Sequence, residues 1–451
     1  MSRIPLPAAS LIAGVCLTAG ALIPLLAEDA GGAAVWPAWR GPDSTGVAPA
    51  GNPPVRWSET ENVRWKAELP GLGTSTPVIW GNRVFVTSAV DEGVPADGAA
   101  PAAEGEGAAG GRRLAGAPGM MHRFVVMAIE LDTGKVVWER TARRAPPHEG
   151  HHPDGTYASG SPVTDGEHVF ATFGSQGLYA YDLDGNLKWE KDLGDMRTRL
   201  GFGEGASPAL HGDTLVLNWD HEDEDFIVAL DKRTGEERWR RDRDEITSWT
   251  TPLVVEHDGR AQVVVSATGA IRSYDLATGE DLWHTPGMTV NAIPSPVHAG
   301  GVVYLTSGFR GSALLAIDLA KARGNLEGTD AIRWRFDRDT PYVPSPLLYD
   351  GLLYFLKVNS PILTVIDVAN GEVVYGPQRL DGVDNIYASP VGADGRVYIQ
   401  GRGGEGVVLR AGRKYEVIAN NQLEDNFDAS PVVAGDRLLL RGRRHLYSLG
   451  S

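Results

Sequence analysis

The chain has 451 residues, room for about three domains of ordinary size, and carries 56 glycines and 29 prolines, a composition suited to many tight turns. A formal net charge of -16 gives no electrostatic basis for holding a polyanion, so nucleic acid is excluded as a partner. One cysteine, Cys16, rules out an internal disulfide.

The N-terminus carries Arg3, then an apolar stretch over 11–27 that ends in Leu25-Leu26-Ala27 ahead of Glu28. That order of a positive end, an apolar run and a small residue predicts a signal peptide over 1–27, hence export to a periplasmic or extracellular compartment. The alternative is an uncleaved membrane anchor, because the run approaches spanning length. With the signal removed, no span remains, and the mature chain has no thiol. Residues 28–56, rich in Gly, Pro and Ala and bearing Trp36 and Trp39, form an extended lead-in expected to lie across the body of the fold. A short strand follows at Asn62-Val63-Arg64-Trp65-Lys66.

From there the chain repeats. Ser-Pro or Thr-Pro pairs begin at Thr76, Ser161, Ser207, Thr251, Ser295, Ser345, Ser389 and Ser430, at spacings of 85, 46, 44, 44, 50, 44 and 41 residues. The interval between openings holds four short apolar runs separated by Gly and Asp turns, the signature of a propeller blade. An acidic residue stands eight before an aromatic in four units: Glu130 to Trp138, Asp231 to Trp239, Asp275 to Trp283 and Asp367 to Tyr375. Such a turn delivers the ring to a fixed place on the outer strand, where it wedges between blades. The long first interval contains a Gly/Ala/Pro-rich stretch over 91–119, expected as a disordered hairpin insertion in blade one. The last unit has three strands and lacks its Trp strand, while the strand at Trp65 is spare. The expected fold is therefore all-β: an eight-bladed β-propeller of four-stranded antiparallel blades over 57–451, closed by pairing its N-terminal and C-terminal strands.

Four motifs match chemistry by letter and fail by context. His148-Glu149-Gly150-His151-His152 has zinc-protease spacing, but prolines flank it and Gly150 interrupts it, so no helix presents both histidines to a metal. Gly401-Arg402-Gly403-Gly404-Glu405-Gly406 lacks the helix a dinucleotide fingerprint needs. Asp182-Leu183-Asp184-Gly185-Asn186 is a blade turn rather than a calcium loop, and the acidic run over 222–225 is a hairpin tip. No catalytic residue and no metal ligand emerge. Aromatic residues do precede several openings: Tyr157, Trp249, Tyr342, Tyr387 and Phe427, with Arg199, Asn291 and Asn385 nearby. In a propeller the first strand is innermost, which places this set at one mouth of the central channel as candidate ligand contacts.

The pattern Ser-Pro, Gly turn, strand, Ala-Leu-Asp-x-x-Thr-Gly and Trp, best formed over 226–239, resembles the pyrroloquinoline-quinone-like (PQQ-like) β-propeller repeat proteins across roughly 57–451. That group holds quinone-dependent dehydrogenases as well as the outer-membrane assembly factor BamB. The resemblance implies either a non-catalytic binding or scaffolding module, for a small ligand or another exported or envelope protein, or a quinone-dependent oxidoreductase using PQQ with calcium. The adjacent cysteine pair common in the dehydrogenases is missing, and no catalytic Asp or calcium ligand aligns. The first reading is preferred, with no cofactor.

Overall fold

A computed structural model describes residues 34–96, 115–116 and 118–450. The predicted signal segment and most of the 91–119 insertion lie outside the described residues. Within blade one, strand Arg83–Pro95 continues past Asp91 and pairs with Met120–Glu130.

Eight antiparallel sheets follow the eight Ser/Thr-Pro openings, and no α-helix occurs among the described residues. Blade 3 shows why the repeat folds this way. Its strands are Ala209–His211, Thr214–Trp219, Phe226–Asp231 and Glu237–Asp242. The second strand is buried at every position, as a strand covered on both faces must be, whereas the outermost buries Trp239 and leaves most of its charged neighbours at the surface.

Each outer Trp is a joint between blades. The indole Nε1 of Trp189 in blade 2 donates to the Lys232 carbonyl of blade 3 at 2.8 Å, and its ring lies on Gly235. A Cβ at Gly235 would meet the ring at 2.7 Å, and the residue has φ +72°, so only glycine suits this turn. Trp65, Trp138, Trp239 and Trp334 repeat the bond to the next blade's Leu131, Leu183, Leu276 and Val368. Trp283 departs from the pattern. The longer loop of blade 5 puts Gly324–Asn325 alongside it as an extra parallel strand, and its Nε1 turns to Gln262 Oε1 instead.

The openings themselves form a continuous belt. The backbone N–H of each opening Ser or Thr donates to the side-chain oxygen of the next: Thr76 to Ser161, Ser161 to Ser207, Ser207 to Thr251, Thr251 to Ser295, Ser295 to Ser345, Ser345 to Ser389, Ser389 to Ser430 and Ser430 back to Thr76, all at 2.9–3.1 Å. The innermost N–H groups have no strand on their channel side, and this belt satisfies them. Replacing Ser345 by Ala strands the buried N–H of Ser295, so it should destabilise the protein by about 1–3 kcal/mol, read as a lowered denaturant midpoint, while Ser345→Thr restores the acceptor.

The ring closes as the spare strand predicts: Val63–Glu68 pairs with His445–Leu449 in blade 8. The lead-in, by contrast, enters the channel. Val35–Trp36 pairs with the far end of blade 1's innermost strand, and Trp36 is 1% exposed. The chain then rises until Trp39 Nε1 reaches Ser430 and the buried Arg40 guanidinium reaches the carbonyls of Pro346 and Pro390. It returns through positive-φ turns at Gly41, Ser44 and Gly46 to meet Leu348 and Gly392. These contacts plug the channel below the belt.

Candidate functional site

Above the belt lies a cavity of about 350 Å³ at one mouth of the channel. An extended chain points alternate residues the same way, so the residue two before each opening faces the axis with the opening itself. All eight of these positions line the cavity: Thr74, Ser159, Gly205, Trp249, Ile293, Val343, Tyr387 and Asp428. The ring is lopsided. Blades 4 to 7 contribute Trp249, Ile293, Val343 and Tyr387, and blades 8 and 1 to 3 contribute Asp428, Thr74, Ser159 and Gly205.

Further residues deepen this division. On the apolar side Phe309 stacks on Tyr342, with ring centres 4.6 Å apart and planes inclined at 23°. On the polar side stand Asp154 and Glu204, with Phe202 edge-on to His152 at 5.1 Å. Trp39, from the lead-in, lines the base beside Thr76, Ser161, Ser207 and Ser430 of the belt.

Two of the three carboxylates are neutralised by arginine. Arg402 donates to Asp428 Oδ1 at 2.5 Å and to Asp154 Oδ1 at 2.9 Å, with its guanidinium 4.1 Å above the Tyr387 ring. Arg443 adds a 3.1 Å bond to Asp428. Burial works to raise the Asp154 carboxyl, but the 2.8 Å bond from the Tyr387 hydroxyl and the pairing with Arg402 hold it below the usual carboxylate range. Glu204 differs. Its carboxylate accepts from the backbone N–H and hydroxyl of Ser175, and among the described residues it forms no ion pair. Burial, reinforced by the charge of Glu149 and offset in part by Ser175 and His148, pushes it up to about 7.

The predicted mouth residues are only partly brought together. Trp249, Tyr342 and Tyr387 line the cavity. Asn291 sits behind it, its Nδ2 3.4 Å from the Tyr342 hydroxyl. Tyr157 borders a smaller adjoining chamber and donates to the Glu149 carbonyl. Phe427 is buried against Tyr447, Asn385 is exposed with its carbonyl on the Arg402 N–H, and Arg199 belongs to a single 3₁₀ turn, Arg199–Gly201. Asn291, Tyr157, Phe427, Asn385 and Arg199 stand four, four, three, four and eight residues before their openings, off the register that faces the axis. Asp428 and the small residues of the ring were legible at the second position upstream, but a search for aromatics passes over them.

The deceptive motifs are loops here too. His148 Nε2 lies 2.9 Å from the Met196 carbonyl, and Gly406 is already within strand Glu405–Arg410. The hairpin before that strand delivers Arg402 to the mouth. Asp182 caps its own turn through Asp184 and Asn186, and Asp223 in the acidic tip pairs with Arg197.

A family model described as outer membrane protein assembly factor BamB, built on PQQ-like repeats, matches residues 99–323 and 267–448. The chain belongs to this family. Among solved structures, BamB from Moraxella catarrhalis is similar at 16% identity and a TM-score of 0.51, covering 75% of this chain and 96% of that one. A quinohemoprotein alcohol dehydrogenase from Pseudomonas putida is similar at 10% identity and a TM-score of 0.53, covering 92% and 80%. A computationally designed protein, Ika8, matches at 12% identity and a TM-score of 0.51, covering 75% and 95%. At these identities the likeness concerns the PQQ-like propeller fold alone. No curated protein matches the chain by sequence. No helix among the described residues is long and apolar enough to cross a membrane.

Some PQQ-like propellers are quinone enzymes, so the mouth can be tested against that cofactor. PQQ carries three carboxylates and calls for cations. The lining residues include three acids and neither lysine nor arginine, and the guanidinium of Arg402 is committed to Asp154 and Asp428. The residues present do not fit the quinone.

Proposed function

We propose that this BamB-family propeller is an exported, non-catalytic binding module whose channel mouth holds a small ligand with an apolar, ring-bearing body. The observation that carries this reading is the composition of the inward-facing ring. One half is aromatic or branched aliphatic and the other small or polar, above a base closed by the belt and the plug. Apolar walls with a few placed polar groups are what a small-molecule site requires. Export rests on the N-terminal pattern, and the family description as an outer-membrane assembly factor accords with it and with a partner in the envelope.

The test uses ligand-observed NMR with neutral aromatic probes, indole and 3-phenyl-1-propanol, on the purified protein. Saturation transfer is expected, and Val343→Arg, which drives a long side chain into the mouth from blade 6, should abolish it. Transfer that persists in that variant places binding elsewhere and sinks the proposal. Titration with PQQ and calcium, followed by dye-linked alcohol oxidation, is expected to show neither binding nor turnover. Stoichiometric uptake of the quinone with turnover would favour the oxidoreductase.

A further inference from the structure

Charge and hydrogen-bond capacity at the mouth narrow the ligand class. Asp154 and Asp428 share Arg402, and Arg443 supports Asp428, so two carboxylates stand against two guanidinium groups. Glu204 sets its carboxylate on Ser175, towards the adjoining chamber. The polar side of the mouth is thus balanced in charge, and it is rich in acceptors. The Asp154 side chain is 31% exposed, and its oxygens accept from Arg402 at 2.9 Å and from the Tyr387 hydroxyl at 2.8 Å. A carboxylate has about four lone-pair sites, so acceptor capacity remains. His152 Nδ1 accepts from the Asp154 backbone N–H at 3.2 Å and so gives the carboxylate no proton. Thr74 Oγ1 donates to Ser159 Oγ at 3.1 Å, which donates in turn to the Thr156 carbonyl at 2.9 Å. Both hydroxyl protons are used along this chain, and what Thr74 offers the cavity is an acceptor oxygen.

Resting on the binding reading above, we infer that the mouth selects an uncharged ligand that donates hydrogen bonds: a hydroxylated ring compound, its hydroxyl on Asp154 and its apolar face against Phe309, Tyr342 and Trp249. An ionised carboxylate makes a stronger hydrogen bond than a neutral acceptor does, so a hydroxyl gains most there. A ligand cation would compete with Arg402 for the same acid and be repelled by its charge, and an anion would meet acceptors. A ligand with no donor would strip water from Asp154 and Thr74 and return nothing. That loss is why a site built to bond a hydroxyl rejects the analogue lacking it.

Four probes that share one phenylpropyl body decide the matter: 3-phenyl-1-propanol, its methyl ether, 3-phenylpropylammonium and 3-phenylpropionate, titrated into the full chain and followed by tryptophan fluorescence and calorimetry. The alcohol is expected to bind about 10-fold more tightly than the ether, which keeps the oxygen and loses the donor, and more tightly than either ion. Asp154→Asn should shrink the preference for alcohol over ether. Thr74→Val, which touches no ion pair, should shift it in the same direction. Equal binding of alcohol and ether by the unaltered protein, or a cation that outbinds the alcohol, overturns the inference and leaves the aromatic mouth in place. A preference unchanged in both variants overturns it as well. Failure of all four to bind removes the binding reading itself. The ranking in the unaltered protein stands as a test even where a variant folds poorly.

Discussion

A chain lacking residues 57–70 is expected to lose the cooperative unfolding transition of the whole ring. These residues supply the outer strand of blade 8, and five of them pair with His445–Leu449. Without them that strand becomes an open edge, and the ring has a free end on each side of the gap. The loss reaches blade 1 as well, because Trp65 docks on Leu131 and Gly134 there, and Trp57 and Leu69 belong to the largest apolar cluster, which joins blades 7, 8 and 1. Every other junction is made between neighbours in sequence, whereas this one joins the two ends of the domain. A thermal melt followed by circular dichroism should show a broad, early transition. A milder variant, Trp65→Ala, keeps the strand and removes only the joint, and should cost about 2–4 kcal/mol. A deletion variant that melts as the intact protein does would show that pairing at this seam is dispensable.

Loss of the buried charge at Asp220 is the second large effect. The side chains of Asp220 and Arg243 are both 0% exposed, with Arg243 Nε 2.6 Å from Asp220 Oδ1. Burial works against the Arg243 charge, and the neighbouring carboxylate more than restores it, so its pKa lies above the ordinary arginine value. Asp220→Asn keeps an amide oxygen to accept from the guanidinium, beside Tyr274, but leaves its charge buried and uncompensated, and should destabilise by about 3–5 kcal/mol. The double variant Asp220→Leu with Arg243→Met removes both charges and should lose less than the sum of the two single changes, a coupling measurable by denaturant titration. The site should feel the single change too. Asp220 Oδ2 accepts from Ser248 Oγ at 2.6 Å and from Asn218 Nδ2 at 3.0 Å, and Ser248 directly precedes Trp249 of the mouth. Weaker binding of the phenyl probes should therefore accompany the lost stability. Additive single effects would mean that the pair is not energetically coupled.

Much of the architecture is written locally. A Ser/Thr-Pro opening, a Gly turn and an outer aromatic act over a few residues, and their period announces eight blades before any coordinates are known. The missing Trp strand in the last unit and the spare one at Trp65 reveal the closure for the same reason, since each is a departure from a strict repeat. The period-2 geometry of an extended chain also selects the second residue before each opening as the one that faces the axis, so Trp249, Tyr387 and Asp428 were identifiable by position alone.

What the sequence could not determine depends on where distant segments meet. The Ser/Thr side chains look like strand openers, and their use as a hydrogen-bonded belt appears only when eight of them face one another around an axis. The lead-in's Trp39 and Arg40 carry no local sign that they occupy the channel, because that choice is made by Ser430, Pro346 and Pro390, more than 300 residues away. Charge is the clearest case. As sequence, Asp154, Asp428 and Glu204 are equivalent acids ahead of strand openings, and the fold gives the first two Arg402 and sets the carboxylate of Glu204 on Ser175. The repeat determined the ring, and the tertiary meeting of its loops decided what the ring can hold.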